Sequence, residues 1–194
     1  EAIEDYGRYK QDKVANNRLV LKFTSQGWVT VKCCKLRPGD FVKVLKEEEF
    51  SADCLIIKSS NSSGYCYVDT KNLDGETNLK AKCSVEDFKD LEESGISSQN
   101  GTIECEKPDE NLANWEGLTL IYDKKIYVDL KNLILKGCTL KNTDYIIGIV
   151  VYTGVNTKIM KNSKKPRQKV SKVLLTMNTL LYSLFVFDIL ICLI

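Results

Sequence analysis

The chain has 194 residues, 43% hydrophobic and 28% charged, with 11 Gly and only 3 Pro, which is enough to bury a sizeable core. That composition excludes collagen, a disordered tail and a coiled coil. There is no histidine, which removes Ser-His-Asp and Cys-His catalysis and most catalytic zinc sites. The net charge of +2 is unevenly spread: Thr157 to Lys172 holds seven basic residues and no acid, whereas residues 1–156 hold 21 basic against 25 acidic residues. A mildly acidic body argues against a nucleic-acid binder, which needs a basic face on its folded part.

Residues 1–17 place Ile3, Tyr6, Lys10 and Val14 along one stripe and predict a charged helix that ends at Asn16 and Asn17. The period then drops from 3.6 to 2. Leu19, Leu21 and Phe23 alternate with Arg18, Val20 and Lys22, and Val29, Val31 and Cys33 alternate with Trp28, Thr30 and Lys32, predicting two half-buried strands. Arg37-Pro38-Gly39-Asp40 is a turn, because Pro presets φ and Gly accepts a positive φ. Strands are predicted at 41–45, 54–58 and 65–70, followed by a short helix from Ser84 through Phe88 and Leu91 to Gly95. Strand signals resume at 102–105, 118–122, 125–130 and 132–136. The run from Ile146 to Tyr152 is continuously apolar and predicts a strand buried on both faces. Many short strands separated by turns point to a β-sandwich or jelly roll.

From Val173 to Ile194, 17 of 22 residues are apolar, which is transmembrane length. The basic strip before it (Lys158, Lys161, Lys164, Lys165, Arg167, Lys169 and Lys172) is what a cytoplasmic membrane boundary carries. The alternative is a C-terminal core helix behind a solvated basic linker. The membrane reading makes the chain an excerpt from a larger membrane protein. The eight cysteines, at 33, 34, 54, 66, 83, 105, 138 and 192, form no C-x-x-C pair, and several lie in strand-like apolar runs. They read as free thiols of a reducing compartment, behaving as small hydrophobes, rather than as a disulfide framework.

No phosphate-binding loop, dinucleotide fingerprint or zinc-protease motif is present in the sequence. A calcium loop centred on Gly75 needs Asp at position 70 and Glu at position 81, where the chain has Thr70 and Ala81. What remains is Asn72-Leu73-Asp74-Gly75-Glu76-Thr77-Asn78-Leu79-Lys80. Asp-Gly is a favoured hairpin turn, and an acidic turn tip is often only solvated. The same residues allow a second reading. A glycine beside a glutamate lets the backbone approach another surface and present one carboxylate there, suited to orienting and deprotonating a water.

The run Tyr67-Val68-Asp69-Thr70-Lys71-Asn72-Leu73-Asp74-Gly75-Glu76-Thr77-Asn78-Leu79-Lys80 closely resembles the actuator-domain signature of P4-type ATPases, the phospholipid flippases, and departs from it at Asp69. Gly39-Asp40-Phe41-Val42-Lys43-Val44, Ala52-Asp53, Leu135-Lys136-Gly137-Cys138-Thr139-Leu140-Lys141-Asn142-Thr143 and Val150-Val151-Tyr152-Thr153-Gly154 are similar to further blocks of that family, in the same order. Ser51 stands where the family usually has Pro, and Val173-Leu174-Leu175 lacks an acid often found there. Cation pumps typically carry T-G-E-S in place of D-G-E-T.

The resemblance implies a helical stalk over 1–17, an actuator β-sandwich of distorted jelly-roll form over 18–156, a basic cytosolic linker over 157–172 and the start of a transmembrane helix over 173–194. It implies that Glu76 activates the hydrolytic water, that Gly75 permits close approach, and that Asp74 and Thr77 fix the loop. Asn72, Asn78 and Lys80 would support it. The phosphorylated Asp and the nucleotide site would lie on other domains of the same polypeptide, so Mg2+ and ATP would bind there and this chain alone would be inactive. The implied partners are those domains, a phospholipid substrate, the membrane and a membrane-spanning accessory subunit, with the domain on the cytoplasmic face and no nucleic acid. Two alternatives stay open: the actuator of a cation-transporting P-type ATPase, and a membrane-anchored β-sandwich binding module without catalysis.

Overall fold

The computed structural model describes residues 2–86, 101–121, 124–163 and 171–193, and it divides into two units, 1–163 and 164–194. The first unit is mainly β, as the strand pattern predicts. It opens with helix α1 (Ala2–Asn16), and among the described residues twelve strands follow: β1 (Leu19–Thr24), β2 (Gly27–Lys32), β3 (Phe41–Leu45), β4 (Asp53–Ser59), β5 (Tyr65–Asp69), β6 (Lys80–Cys83), β7 (Gly101–Cys105), β8 (Glu116–Ile121), β9 (Lys124–Asp129), β10 (Leu133–Ile134), β11 (Thr139–Lys141) and β12 (Tyr145–Tyr152). A single helical turn, α2 (Lys71–Asp74), separates β5 from β6, and α3 (Lys158–Asn162) follows β12.

The strands form a six-stranded sheet in the order β10-β4-β12-β3-β1-β2 and two three-stranded sheets, β11-β5-β6 and β7-β8-β9. Every pairing is antiparallel. One apolar cluster joins the three. The central strands β4 and β12 give Leu55, Ile56, Ile146 and Val150, the small sheet gives Cys66, Val68 and Leu140, the third gives Val128, and Trp115 joins them from just before β8. Burial alternates along β5, with Cys66 and Val68 inside and Tyr65 and Tyr67 outside, which marks a strand covered on one face. β12 is buried along nearly its whole length, as its uninterrupted apolar run predicts.

The Arg37–Asp40 turn forms as expected. Gly39 has φ +90, the Asp40 carboxylate accepts from the Arg37 amide at 2.7 Å, and the Gly39 amide donates to the Val150 carbonyl at 2.8 Å. Elsewhere the strand pattern needs correction. Val29 is exposed and Leu19 more so, whereas Trp28 is half-buried against Phe23 with ring centroids 5.1 Å apart. The register pairs Val20 with Val31 and Lys22 with Val29, so the residues that alternation assigns to the core in β1 and in β2 lie on opposite faces, and it is the face of Val20 and Val31 that packs against the core. The strand expected at 132–136 is only Leu133–Ile134, because the chain turns at Gly137 with φ +88. β6 and β11 are strands that the pattern does not reveal. The helix expected from Ser84 to Gly95 falls largely on residues outside those described.

All eight cysteines are free, and Cys54, Cys66 and Cys138 are buried. Burial pushes the thiols of Cys66 and Cys138 up to about 12, and that of Cys54 higher still, so these three are packing groups and not nucleophiles at neutral pH.

The second unit contains one described helix, α4 (Lys172–Cys192), whose first turn is capped by the Ser171 hydroxyl accepting from the Val173 amide at 3.2 Å. Its 21 residues are long and apolar enough to cross a membrane.

Gly148 sits at the crossing of β3, β12 and β4, and a methyl group there would stand 3.0 Å from the Leu55 carbonyl oxygen and 3.2 Å from Cys54 Cβ. Since backbone must shift to admit it, Gly148→Ala should cost about 1–3 kcal/mol in urea unfolding of the detergent-held chain. An unchanged midpoint would show that the sheet crossing has slack.

Candidate functional site

The residues singled out from the sequence gather at the tip of the β5–β6 hairpin. β5 pairs with β6 from Tyr65 opposite Cys83 to Val68 opposite Lys80, so residues 69–79 form the connection. The tip begins with an Asx turn, in which the Asp69 carboxylate accepts from the Lys71 amide at 2.9 Å. The amides of Leu73 and Asp74 then donate to the Thr70 carbonyl at 2.8 and 3.2 Å, which makes α2. Gly75 ends it in the left-handed region, φ 76 and ψ 0, its amide donating to Lys71 O at 3.0 Å. The Asp-Gly step is therefore a helix C-cap and not the two-residue hairpin turn that the dipeptide alone favours. No atom lies within 4 Å of where a Gly75 side chain would start, so glycine is required there by conformation and not by crowding within the free chain.

Asp74 is the hub. Its carboxylate accepts from the Thr70 hydroxyl at 3.1 Å, from the Glu76 amide at 3.0 Å and from the Lys80 ammonium at 2.5 Å. The Lys80 ammonium first, and the Glu76 amide second, hold the Asp74 carboxyl below the usual carboxylate range, and the same pairing holds the Lys80 ammonium above its ordinary value. Lys80 also reaches the Glu76 carboxylate at 3.1 Å. Glu76 itself points outward, its side chain 60% exposed against 34% for Asp74. Asn72, Thr77 and Asn78 lie at the surface, and among the described residues none of their side chains meets a hydrogen-bond partner. The structure thus joins Asp74, Gly75, Glu76 and Lys80 by direct bonds and leaves the other three as polar groups around them.

The root of the hairpin is apolar and tied down. Val68 and Thr70 are buried, Lys82 donates to the Leu130 carbonyl at 2.6 Å, and Thr139–Lys141 pairs along β5. Two residues beyond the loop carry more structure than their sequence suggests. Asp53 is fully buried, and Lys158, which reads as part of a solvated basic strip, has 0% exposure. The Lys158 ammonium pairs with Asp109 and donates to the carbonyls of Asn111 at 2.7 Å and Asn114 at 3.0 Å. Its place in the strip points the wrong way, because its partners lie 44 or more residues earlier in the chain.

A family model for the P-type ATPase actuator domain matches residues 15–165. The chain belongs to that family. Over 188 residues, 95% of the chain, the actuator is 43% identical to a probable phospholipid-transporting ATPase 7 of Arabidopsis thaliana. It is 36% identical over 188 residues, 96% of the chain, to the phospholipid-transporting ATPase IC of Homo sapiens. The actuator spans 15% of the length of each of these two relatives. Among solved structures, that of a zinc-transporting PIB-type ATPase overlaps 74% of the chain and 15% of its own, at 12% identity and a TM-score of 0.44.

Because Asp74 owes its low pKa to Lys80, a carboxyl-carbon NMR titration should place it under the ordinary Asp value of about 3.9, and Lys80→Met should bring it back up. A depressed carboxyl contributes its stabilisation fully above the unfolded value and loses it as pH falls through the folded one. The tip is thus expected to loosen only below about pH 4. An Asp74 that titrates identically in both proteins would remove Lys80 as the cause.

Proposed function

We propose that this actuator belongs to a phospholipid-transporting P-type ATPase and that its loop from Asp74 to Thr77 docks on an aspartyl phosphate carried by another domain of the same polypeptide. The observation that carries this reading is the outward Glu76 carboxylate, set at a hairpin tip whose geometry Asp74 holds. In the docked state a water attacks the phosphorus of the acyl phosphate while Glu76 takes a proton from that water. The bond from phosphorus to the aspartyl oxygen breaks, inorganic phosphate leaves, and the aspartate carboxylate is restored. General-base assistance of this kind contributes roughly 10²–10⁴ in rate, enough to separate a persistent phosphoenzyme from one that turns over.

Each neighbour has a part. Gly75 keeps side-chain bulk away from the docking face and supplies the left-handed turn that redirects the chain toward Glu76. Asp74 spends its oxygens on Thr70, Glu76 and Lys80, so the loop arrives already shaped and little ordering cost is left for docking. Thr77, Asn72 and Asn78 offer unspent hydrogen-bonding groups to the partner domain. Among the described residues no three Cys, Asp or Glu side chains gather as metal ligands, and the Asp74 carboxylate is already engaged. We assign Mg2+ and ATP to the other domains of the polypeptide, as the family's ATPase chemistry implies. Phospholipid as the transported substrate follows the phospholipid-transporting relatives and α4 suits a membrane-anchored parent, whereas placement on the cytoplasmic face and an accessory subunit rest on the family resemblance alone.

The test is phosphoenzyme lifetime in the full-length ATPase. Glu76→Gln should be phosphorylated by ATP as wild type is and should dephosphorylate at least a hundredfold more slowly with phospholipid present, at roughly the lower end of a general base's effect. Normal lipid-stimulated turnover in that variant would end the role of Glu76. Wild-type phosphoenzyme discharged by a metal cation and not by lipid would keep the family and overturn the substrate. Gly75→Val, which puts a β-branched residue at φ 76, should likewise leave phosphorylation intact and block dephosphorylation; turnover at the wild-type rate would show that close approach at Gly75 is not needed.

A further inference from the structure

The docking loop is not isolated from the segment that leads along the chain to α4. Asp53, at the start of β4, is fully buried, yet its carboxylate is satisfied entirely by backbone. One oxygen accepts from the Lys136 amide at 2.7 Å, the other from the Lys158 amide at 2.7 Å. Lys136 is followed by Gly137, whose amide donates to the Phe50 carbonyl at 2.9 Å and whose φ of +88 is glycine's region. A methyl group at Gly137 would stand 3.6 Å from Leu73 Cδ2 and 4.0 Å from Ile159 Cδ1. Leu73 belongs to α2, one residue before the hub Asp74, and Ile159 belongs to α3. Leu73 is half-buried against the main core cluster, the one residue of α2 that is not exposed. A single buried carboxylate therefore fixes the main chain on either side of the point where the docking loop and the α3 segment meet.

We propose that Asp53 is a positioning residue that holds the docking loop and the α3 segment in one register, through Lys136 and Gly137 toward Leu73 and through Lys158 toward Ile159. Desolvation raises the Asp53 pKa and the two amides oppose it, so the carboxylate depends on both of its donors at once. Pulling either segment away leaves a buried acceptor without a partner, which ties the two displacements together. The consequence for function rests on the docking reading: movement of the α3 segment, and with it the chain toward α4, reaches Glu76 as a displacement of the loop.

The experiment has two arms. In the 194-residue chain in detergent, amide hydrogen exchange is followed in wild type and Asp53→Asn. The expected result is exchange at least tenfold faster in residues 136–138 and 158–162 and also in 71–76, with the β1–β2 hairpin unchanged. Faster exchange confined to 136–138 and 158–162 overturns the proposal, as does a uniform rise that includes the hairpin, which is what general destabilisation gives. Should Asp53→Asn not fold, Leu73→Ala approaches from the loop side, and 158–162 must then exchange faster; no change there overturns it equally. In the full-length ATPase, Asp53→Asn should form phosphoenzyme from ATP normally while lipid stimulation of dephosphorylation drops several-fold. Retained stimulation overturns the coupling. If wild type forms no phosphoenzyme at all, the docking reading falls and the exchange arm still decides the register.

Discussion

The carboxylate of Asp74 meets a hydroxyl from before it and an amide and an ammonium from after it, and the shape of the hairpin tip depends on that convergence. A one-turn helix has no stability of its own, because nucleation fixes several dihedrals for each hydrogen bond gained. α2 persists because Thr70 and Asp74 close it from the side-chain end while Leu73 lies against the core. Take Asp74 away and the Glu76 amide loses its acceptor, and Lys80 keeps only Glu76, so the Lys80–Glu76 pair is no longer tied to the turn. An exposed functional group thus owes its orientation to a neighbour that itself faces solvent only in part.

The tip can be polar because its root is not. Within a few residues the hairpin passes from Cys66 and Val68, wholly buried, to Glu76, mostly exposed. The root is held by pairing on both edges of β5 and by contact with the large sheet's core cluster, so the tip rides on a rigid mount while its own backbone is short and locally bonded. Loops on rigid mounts are where a scaffold can place chemistry without loosening its core. The same economy appears at the far end of β12, where Lys158 is drawn inside to bind Asp109 and two carbonyls, anchoring the α3 segment to the body.

Most of the fold is legible where the cause is local. The stripe on residues 1–17, the Pro-Gly turn at 38–39 and the apolar run of β12 each contain their own reason, and the structure has α1, the turn and the strand in place. β6 is not legible, since Lys-Ala-Lys-Cys has no β-branched or aromatic residue and becomes a strand only because β5 offers it a partner. Val29 and Leu19 mislead because alternation within one strand does not say which of its faces packs: cross-strand register sets Leu19 on the face opposite Val20 and Val31, which meet the core, and Val29 stays exposed beyond Val31. At the site, spacing shows that Lys80 stands four residues from Glu76. It does not show that Lys80 also takes Asp74, or that Thr70 closes the ring, because both depend on the turn Gly75 makes. Asp53 and Lys158 lie farthest from sequence reasoning, since a buried charge is recognised by its partners, and those lie 83 or more residues away for Asp53 and 44 or more for the Lys158 ammonium.

The pairing of Lys80 with Glu76 bears directly on how a carboxylate can serve beside a phosphoryl group, which repels it. In the free domain the pair is largely exposed, and such pairs are worth about 0.2–1 kcal/mol. A general base that accelerates a step by roughly 10²–10⁴ lowers its barrier by about 3–5 kcal/mol. On the proposed docking, the restraint is several-fold weaker than the general-base effect, so Glu76 would leave Lys80 for a water without cancelling the gain. On the same proposal Lys80 would stay bound to Asp74, keeping its charge at the tip and offsetting part of the repulsion between the loop and the phosphate. On that account Lys80 does two electrostatic jobs from one position, and both follow from its standing six residues after Asp74 and four after Glu76 on a loop that Gly75 folds back on itself.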